Sequence, residues 1–497
     1  MKNLVPACAA AAILSCSCAF SVAEVRLANV FSDNMVLQEG ARAPVWGWAD
    51  DGEEVTVEYD GASAKTTAKN GKWMVRVRVP KGAQPGVLRV RGKNLIELTN
   101  VVAGEVWLCS GQSNMEFPMT RATNAQAEIA ASSNPEIRVF HVTRARTNAA
   151  AADVIGNWEP ASPAAISNFS AVGYYFGRAL QRDLHTPIGL IESSWGGTPI
   201  EAWTREGALR EDKQDWDKIE QRYSDAMKPK QPAPGAKRSK RAKRARQPWA
   251  PGELYNGMIA PLVPFGIRGA IWYQGEANSG RAAEYRRLLP NMVRNWRRDW
   301  REGDFPFLIV QLAPFDKRKN RNIEEITNAP VESDWAELRE AQLLAARTLP
   351  NAAVAVITDI GEKDNIHPTQ KEPVGARLAA AAEAIAYHEK NEYSGPIYKG
   401  MRVKGNEVIL SFDHARSGLE SRGGALTGFA ICGPDHKFVW ASAVISGDKV
   451  IVSSPKVAKP VAVRYGWADF PIVNLWNKAG FPASPFRTDH FPGITGS

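Results

Sequence analysis

The sequence predicts an α/β protein: a doubly wound parallel sheet flanked at each end by a β-rich, sandwich-like part. Three observations carry this. Residues 101–390 alternate strand-like apolar runs with helical stretches, as parallel strands joined by crossover helices do. Residues 24–100 and 391–497 instead hold short alternating or β-branched runs broken by turn dipeptides. The 497 residues, 44% hydrophobic and 23% charged, match an ordinary globular chain of roughly two to four domains with a sizeable core.

The first 23 residues read as a signal peptide. Lys2 precedes the apolar run Leu4–Leu14, and Ser21-Val22-Ala23 is a small-x-small cleavage pattern. A secreted or periplasmic protein is therefore expected, with lipoprotein anchoring through Cys16 in Ile13-Leu14-Ser15-Cys16 as the alternative. No run reaches the ~18 apolar residues that a spanning helix needs. Of the five cysteines, Cys8, Cys16 and Cys18 fall in this leader. Cys109 and Cys432 remain, far apart, and supply neither a disulfide framework nor a zinc-ligand spacing.

In residues 24–100, PVWGWA, EEVTVEYDG, AKTTAK, GKWMVRVRVP and GVLRVRGK are strand-like, with Asp51-Gly52, Asp60-Gly61 and Asn70-Gly71 as turns. The middle then changes period. GEVWLCS precedes the helical reading SNMEFPMTRATNAQAEIAA, Val172–Leu184 precedes PIGLIESS, and GIRGAIWYQGE precedes AAEYRRLLPNMVRNWRRDW. FPFLIVQLAPF precedes SDWAELREAQLLAARTLP, and AAVAVITDI precedes an Ala-rich helix over Pro373–His388. From about Asn391, VKGNEVILSF, GGALTGFAICG, HKFVWASAVISGDKVIVSS and PVAVRYGW are strands again. One stretch fits none of these. Lys228–Gln247 carries nine Lys and Arg and no acid, which accounts for the whole net charge of +9. Its Pro, Gly and Ala content reads as a solvated insertion rather than a nucleic-acid surface, so no nucleic-acid partner is expected.

Open parallel sheets carry their sites at the carboxyl ends of strands. Four polar clusters fall at such ends: Gly111-Gln112-Ser113-Asn114, Ser194-Trp195-Gly196-Gly197-Thr198, Gln274-Gly275-Glu276-Ala277-Asn278 and Asp364-Asn365-Ile366-His367-Pro368. Acyl transfer by a hydroxyl needs a base, commonly a His oriented by a carboxylate. Of the seven His, His367 alone lies after a predicted strand of the α/β part with an Asp three residues before it. In a compact loop that spacing can bring Asp364 to Nδ1 and leave Nε2 for a nucleophile. Alone, a loop His beside a capping Asp is the commoner reading; the co-location of the four clusters raises it. Cys109 ends an apolar run and reads as buried, and Ser110 precedes the turn. Ser113 follows Gly111 and precedes the predicted helix, so it is the nucleophile of choice and its N–H can join an oxyanion hole. Gly196 and Gly197 can add backbone N–H groups, and Gln274 or Asn278 a side-chain amide. Glu276 could be a general base, a substrate anchor or a structural group, and reads first as structural because Asp364 and His367 already fill the catalytic role. Gln112 and Asn114 support the turn or touch substrate.

GQSNM, SSWGGTPIEAW, WYQGEAN and DNIHP, in that order, resemble the sialate O-acetylesterase family of the SGNH (GDSL-like) hydrolase superfamily. VFSDNMVLQ, LYNGMIAPL and VRYGWADFPIVNLWNKAGFPASPFRTD extend the resemblance over most of the mature chain. It implies a metal- and cofactor-free serine esterase removing acetyl groups from sugars, most of all sialic acids, with an O-acetylated carbohydrate as its partner. It also implies Ser113 as nucleophile, His367 as base then acid, Asp364 as the residue orienting His367, and Ser113, Gly196 or Gly197, and Gln274 or Asn278 around the oxyanion. The sequence departs from the wider superfamily in reading Gly-Gln-Ser-Asn for Gly-Asp-Ser-Leu and Gln-Gly-Glu-Ala-Asn for a short Gly-x-Asn-Asp. Two alternatives stand beside it: an esterase acting on acetylated xylan or another glycan, and a carbohydrate-binding protein on a dead hydrolase core.

Overall fold

The computed structural model describes residues 24–82, 84–228, 247–318 and 320–496. The leader, and the basic stretch apart from its end residues Lys228 and Gln247, lie outside the described residues. The central sheet contains β1 (Leu95–Gly111), β2 (Asn134–His141), β3 (Trp158–Ala161), β4 (Ile188–Ser194), β5 (Gly269–Tyr273), β6 (Phe307–Val310) and β7 (Ala352–Ala355). Their order across the sheet is β3-β2-β4-β1-β5-β6-β7. Neighbours pair in parallel except for β3, an antiparallel edge strand on β2. The chain fills the β2 side first and then the β6 side, so the order reverses at β1 and leaves a crevice at its carboxyl end.

These strands are short continuous apolar runs because both faces are covered. Helices α1 (Ala171–Leu184) and α4 (Glu372–Ala386) lie on one face, and α2 (Ala282–Trp300) and α3 (Asp334–Thr348) on the other. The two-residue period of β1 sends Trp107 and Cys109 into the core beneath α1 and α4, and Val106 and Leu108 into the core beneath α2 and α3. Serine caps begin two of these helices: Ser170 Oγ accepts from Gly173 N at 3.0 Å, and Ser333 Oγ accepts from Ala336 N at 3.0 Å.

The strand β1 belongs to two regions at once. Its residues Leu95–Val101 pair antiparallel with Gly86–Arg91 of the N-terminal β part, Val102–Gly104 pair with Val36–Gln38, and Glu105–Gly111 enter the central sheet. The change expected at residue 100 is therefore a change of environment along one unbroken strand. The half-exposed alternation of LIELTN gives way to the buried run VVAGEVWLCSG, with no turn between them. The C-terminal β part has its own core around Val408, Leu410, Val450 and Val463. Arg339 of α3 docks it, donating to the Ala468 carbonyl at 2.7 Å and the Asp469 carbonyl at 2.9 Å. Cys109 and Cys432 are free thiols, both buried. Among the described residues, no helix is long and apolar enough to cross a membrane.

Candidate active site

Three of the four polar clusters follow the adjacent strands β4, β1 and β5, and the fourth reaches them on the loop between β7 and α4. Gly111 makes the turn out of β1 at φ +141°, and a Cβ there would stand 2.2 Å from the Tyr273 carbonyl oxygen, so only glycine lets β1 and β5 close together. Gln112 N then donates to Tyr273 O at 3.0 Å, and Met115 N and Glu116 N donate back to Gln112 O at 2.9 and 3.0 Å. Ser113 sits on this tight turn. The helix expected after it does not form there: Pro118 breaks the run, leaving a short 3-10 turn over Met119–Arg121 and one α-turn at Ala125–Ala130. Ser113 owes its position to the turn and not to a helix N-terminus.

Ser113 Oγ lies 2.8 Å from His367 Nε2. The imidazole is half-buried; burial, then the charges of Lys371 and Arg121, push its pKa below the ordinary histidine value. The lowered pKa favours the neutral imidazole, whose Nε2 lone pair can receive the Ser113 proton. The backbone of His367 is clamped by Asn365, whose Oδ1 accepts from His367 N at 3.0 Å and whose Nδ2 donates to His367 O at 2.9 Å. Glu362 braces the same turn, accepting from Asn365 Nδ2 at 2.9 Å and from Thr369 N at 2.7 Å.

Asp364 departs from expectation. Its carboxylate is 59% exposed and is held by Lys363 Nζ at 2.6 Å, and no hydrogen bond joins it to His367.

The amides also need correction. Gln274 Nε2 donates to Thr198 O at 3.1 Å and to Asn278 Oδ1 at 2.8 Å, using both its protons. Asn278 Nδ2 donates to Glu201 Oε2 at 2.9 Å. Both side chains are fully buried, so they tie the β4 loop to the β5 loop and do not face an oxyanion. Of the backbone donors, Ser113 N–H is unbonded among the described residues, while Gly196 N–H donates to Glu116 Oε2 at 2.8 Å. Gly197 is exposed beside it. A Cβ on Gly196 would come within 3.1 Å of Ser113 Cβ, so the β4 loop lies directly against the serine.

Gln112, Asn114 and Glu276 form the floor and not a substrate rim. Gln112 Oε1 accepts from Gly275 N at 3.4 Å and Ala277 N at 3.3 Å. Asn114 is a junction: Nδ2 donates to Glu276 Oε1 at 2.6 Å and to Ile366 O at 3.0 Å, and Oδ1 accepts from Lys371 Nζ at 2.6 Å. It therefore links the residue after Ser113 to the residue before His367. Burial brings the Lys371 ammonium down to about 7, against the opposing pull of Glu276 and Glu362. Burial likewise raises the Glu276 carboxyl above its ordinary value.

Sequence reasoning did not single out Glu116, Arg121, Arg144 or Lys371. Glu116 pairs through Oε1 with Arg144, whose guanidinium lies 5.5 Å over the Trp195 ring. Only Glu116 offered a signal, standing three residues after Ser113 on the same turn. Cys109 and Ser110 are fully buried, and burial raises the Cys109 thiol, so neither competes as nucleophile. Among the described residues no group of three His, Cys, Asp or Glu is gathered to hold a metal ion.

A family model described as carbohydrate esterase, sialic acid-specific acetylesterase, matches residues 103–235 and 239–384. The chain is 30% identical to the sialate O-acetylesterase of Rattus norvegicus over 90% of both chains. It is 28% identical to that of Homo sapiens over 94% of both. It is also similar to the crystal structure of a carbohydrate acetylesterase from Xanthomonas citri, at 38% identity and a TM-score of 0.81, covering 94% of this chain and 100% of that one.

Proposed function

The chain belongs to the sialic acid-specific acetylesterase family of carbohydrate esterases and is a carboxylic ester hydrolase acting on O-acetylated sugars; from that premise we propose that it deacetylates sialic acids through an acetyl-serine intermediate. The observation that carries the reading is the 2.8 Å approach of Ser113 Oγ to His367 Nε2, on a half-buried imidazole whose pKa burial lowers. Ser113 Oγ attacks the acetyl carbonyl carbon while Nε2 takes its proton. The tetrahedral oxyanion forms against the Ser113 N–H and the glycine N–H groups of the β4 loop, for which Glu116 withdraws from Gly196. The intermediate collapses, and the sugar oxygen leaves with the proton held on Nε2. Water then attacks the acetyl-serine, gives its proton to Nε2, and acetate departs as Ser113 regains its hydrogen.

The SGNH hydrolase architecture with sandwich-like β parts at both ends is part of this reading, as is export by the N-terminal leader to the periplasm or the exterior. Acetate release from O-acetylated sialic acid tests the core of it. Ser113→Ala and His367→Ala, each folded by circular dichroism, should lose about 10³-fold or more in kcat. Near-normal turnover in Ser113→Ala would overturn the assignment. Release from acetylated xylan alone would move the substrate to another glycan.

A further inference from the structure

The catalytic pair lies among cations, most of which are engaged among the described residues. Arg144 pairs with Glu116, Arg146 with Glu253, Lys363 with Asp364, and Lys371 is buried against Asn114. Arg121 is exposed, and its guanidinium makes no ion pair or hydrogen bond among the described residues. It is nonetheless held in place. Its Cζ lies 4.8 Å over the ring of Phe117, and that buried ring is 6.5 Å from the His367 imidazole. The segment carrying it is stitched to the histidine loop: Thr123 N donates to Thr369 O at 3.0 Å, and Thr123 Oγ1 bonds Thr369 Oγ1 at 3.1 Å. Its charge is felt at both His367 and Lys371.

A guanidinium held over Phe117 on the histidine side of the site, with no ion pair among the described residues, offers two parallel N–H donors to a planar anion. Resting on the sialic acid reading above, we propose that Arg121 is a specificity-determining residue that binds the carboxylate of an O-acetylated sugar acid while the acetyl group lies at Ser113. The aromatic face of Phe117 holds the guanidinium plane, so little freedom is lost when the carboxylate docks. The pairing is non-covalent and leaves the ester chemistry unchanged.

The test compares kcat/KM for an O-acetylated sialic acid and for its methyl ester, which keeps the acetyl group and removes the negative charge. The wild-type protein should prefer the acid by about 10- to 100-fold, the scale of one charge-assisted, partly desolvated contact. In Arg121→Gln the acid-to-ester ratio should fall towards one, whatever happens to the absolute rates, and Arg121→Lys should keep part of it. An Arg121→Gln protein that slows on both substrates equally, with the ratio intact, would show a structural role and overturn the proposal. So would a wild-type protein that does not prefer the acid. Hydrolysis of neither sugar would overturn the sialic acid reading, and this inference with it.

Discussion

The serine side and the histidine side of the site are built differently. Ser113 stands where three parallel strands end, over a floor in which Gln112, Asn114, Gln274 and Asn278 are buried and bonded across loops. His367 stands on a turn between β7 and α4, half-buried, with its backbone clamped by Asn365 and its neighbour Asp364 open to solvent. The first side is fixed by the sheet. The second is fixed to the first by a few bonds, those of Asn114 and those between Thr123 and Thr369. Catalytic distance here therefore depends on the bridge between the two sides, and Asn114 is its centre.

Among substitutions outside the Ser113–His367 pair, cutting that bridge should produce the largest effect. Asn114→Leu strands Glu276 Oε1 and Lys371 Nζ and frees the Ile366 carbonyl, at about 1–3 kcal/mol for each buried polar group left unpaired. A fall in denaturant midpoint should accompany a kcat loss of about 10²-fold, because a displacement of His367 by even an ångström breaks the proton transfer. Lost stability with unchanged kcat would mean that the two sides hold their distance without the bridge.

A smaller effect should come from the charge in the bridge. Lys371 is one of two cations that depress His367, so the base stays neutral to below its ordinary value of about 6.5. The acid limb of kcat/KM should accordingly lie below pH 6.5 in the wild-type protein. Lys371→Met removes a like charge, so the His367 pKa should rise and the limb should move to higher pH. A limb that stays put would show that burial and Arg121 set the pKa without Lys371.

The same contrast explains what the sequence could carry. The serine side was legible because continuous apolar strands and their polar ends are local patterns, and each of GQSN, SWGGT and QGEAN directly follows one. The strand–helix alternation gave the sheet for the same reason. What could not be read is the direction of side chains on turns. Pro118 cancelled the helix expected after Ser113, and Gln274 and Asn278 turned inward to join two loops. Burial of Lys371 came from α4 packing beneath the site, which no spacing near the four clusters announces.

Asp364 is where the two sides differ most sharply, and its substitution should have the smallest effect. In a triad whose Asp holds the imidazole, replacement by Asn costs about 10⁴-fold in kcat, because the wrong tautomer is favoured. Here the Asp364 carboxylate is held by Lys363 and is not bonded to His367, while Asn365 grips the histidine backbone from both sides. Asp364→Asn should therefore lower kcat by less than about tenfold and leave the acid limb in place. Asn365→Ala should cost more, since it releases both backbone bonds at once. Single-turnover acetate release by the two variants decides the order. If Asp364→Asn instead falls by about 10³-fold or more, the carboxylate leaves Lys363 for Nδ1 once substrate is bound, and the histidine side is completed by the substrate as the serine side is by the sheet.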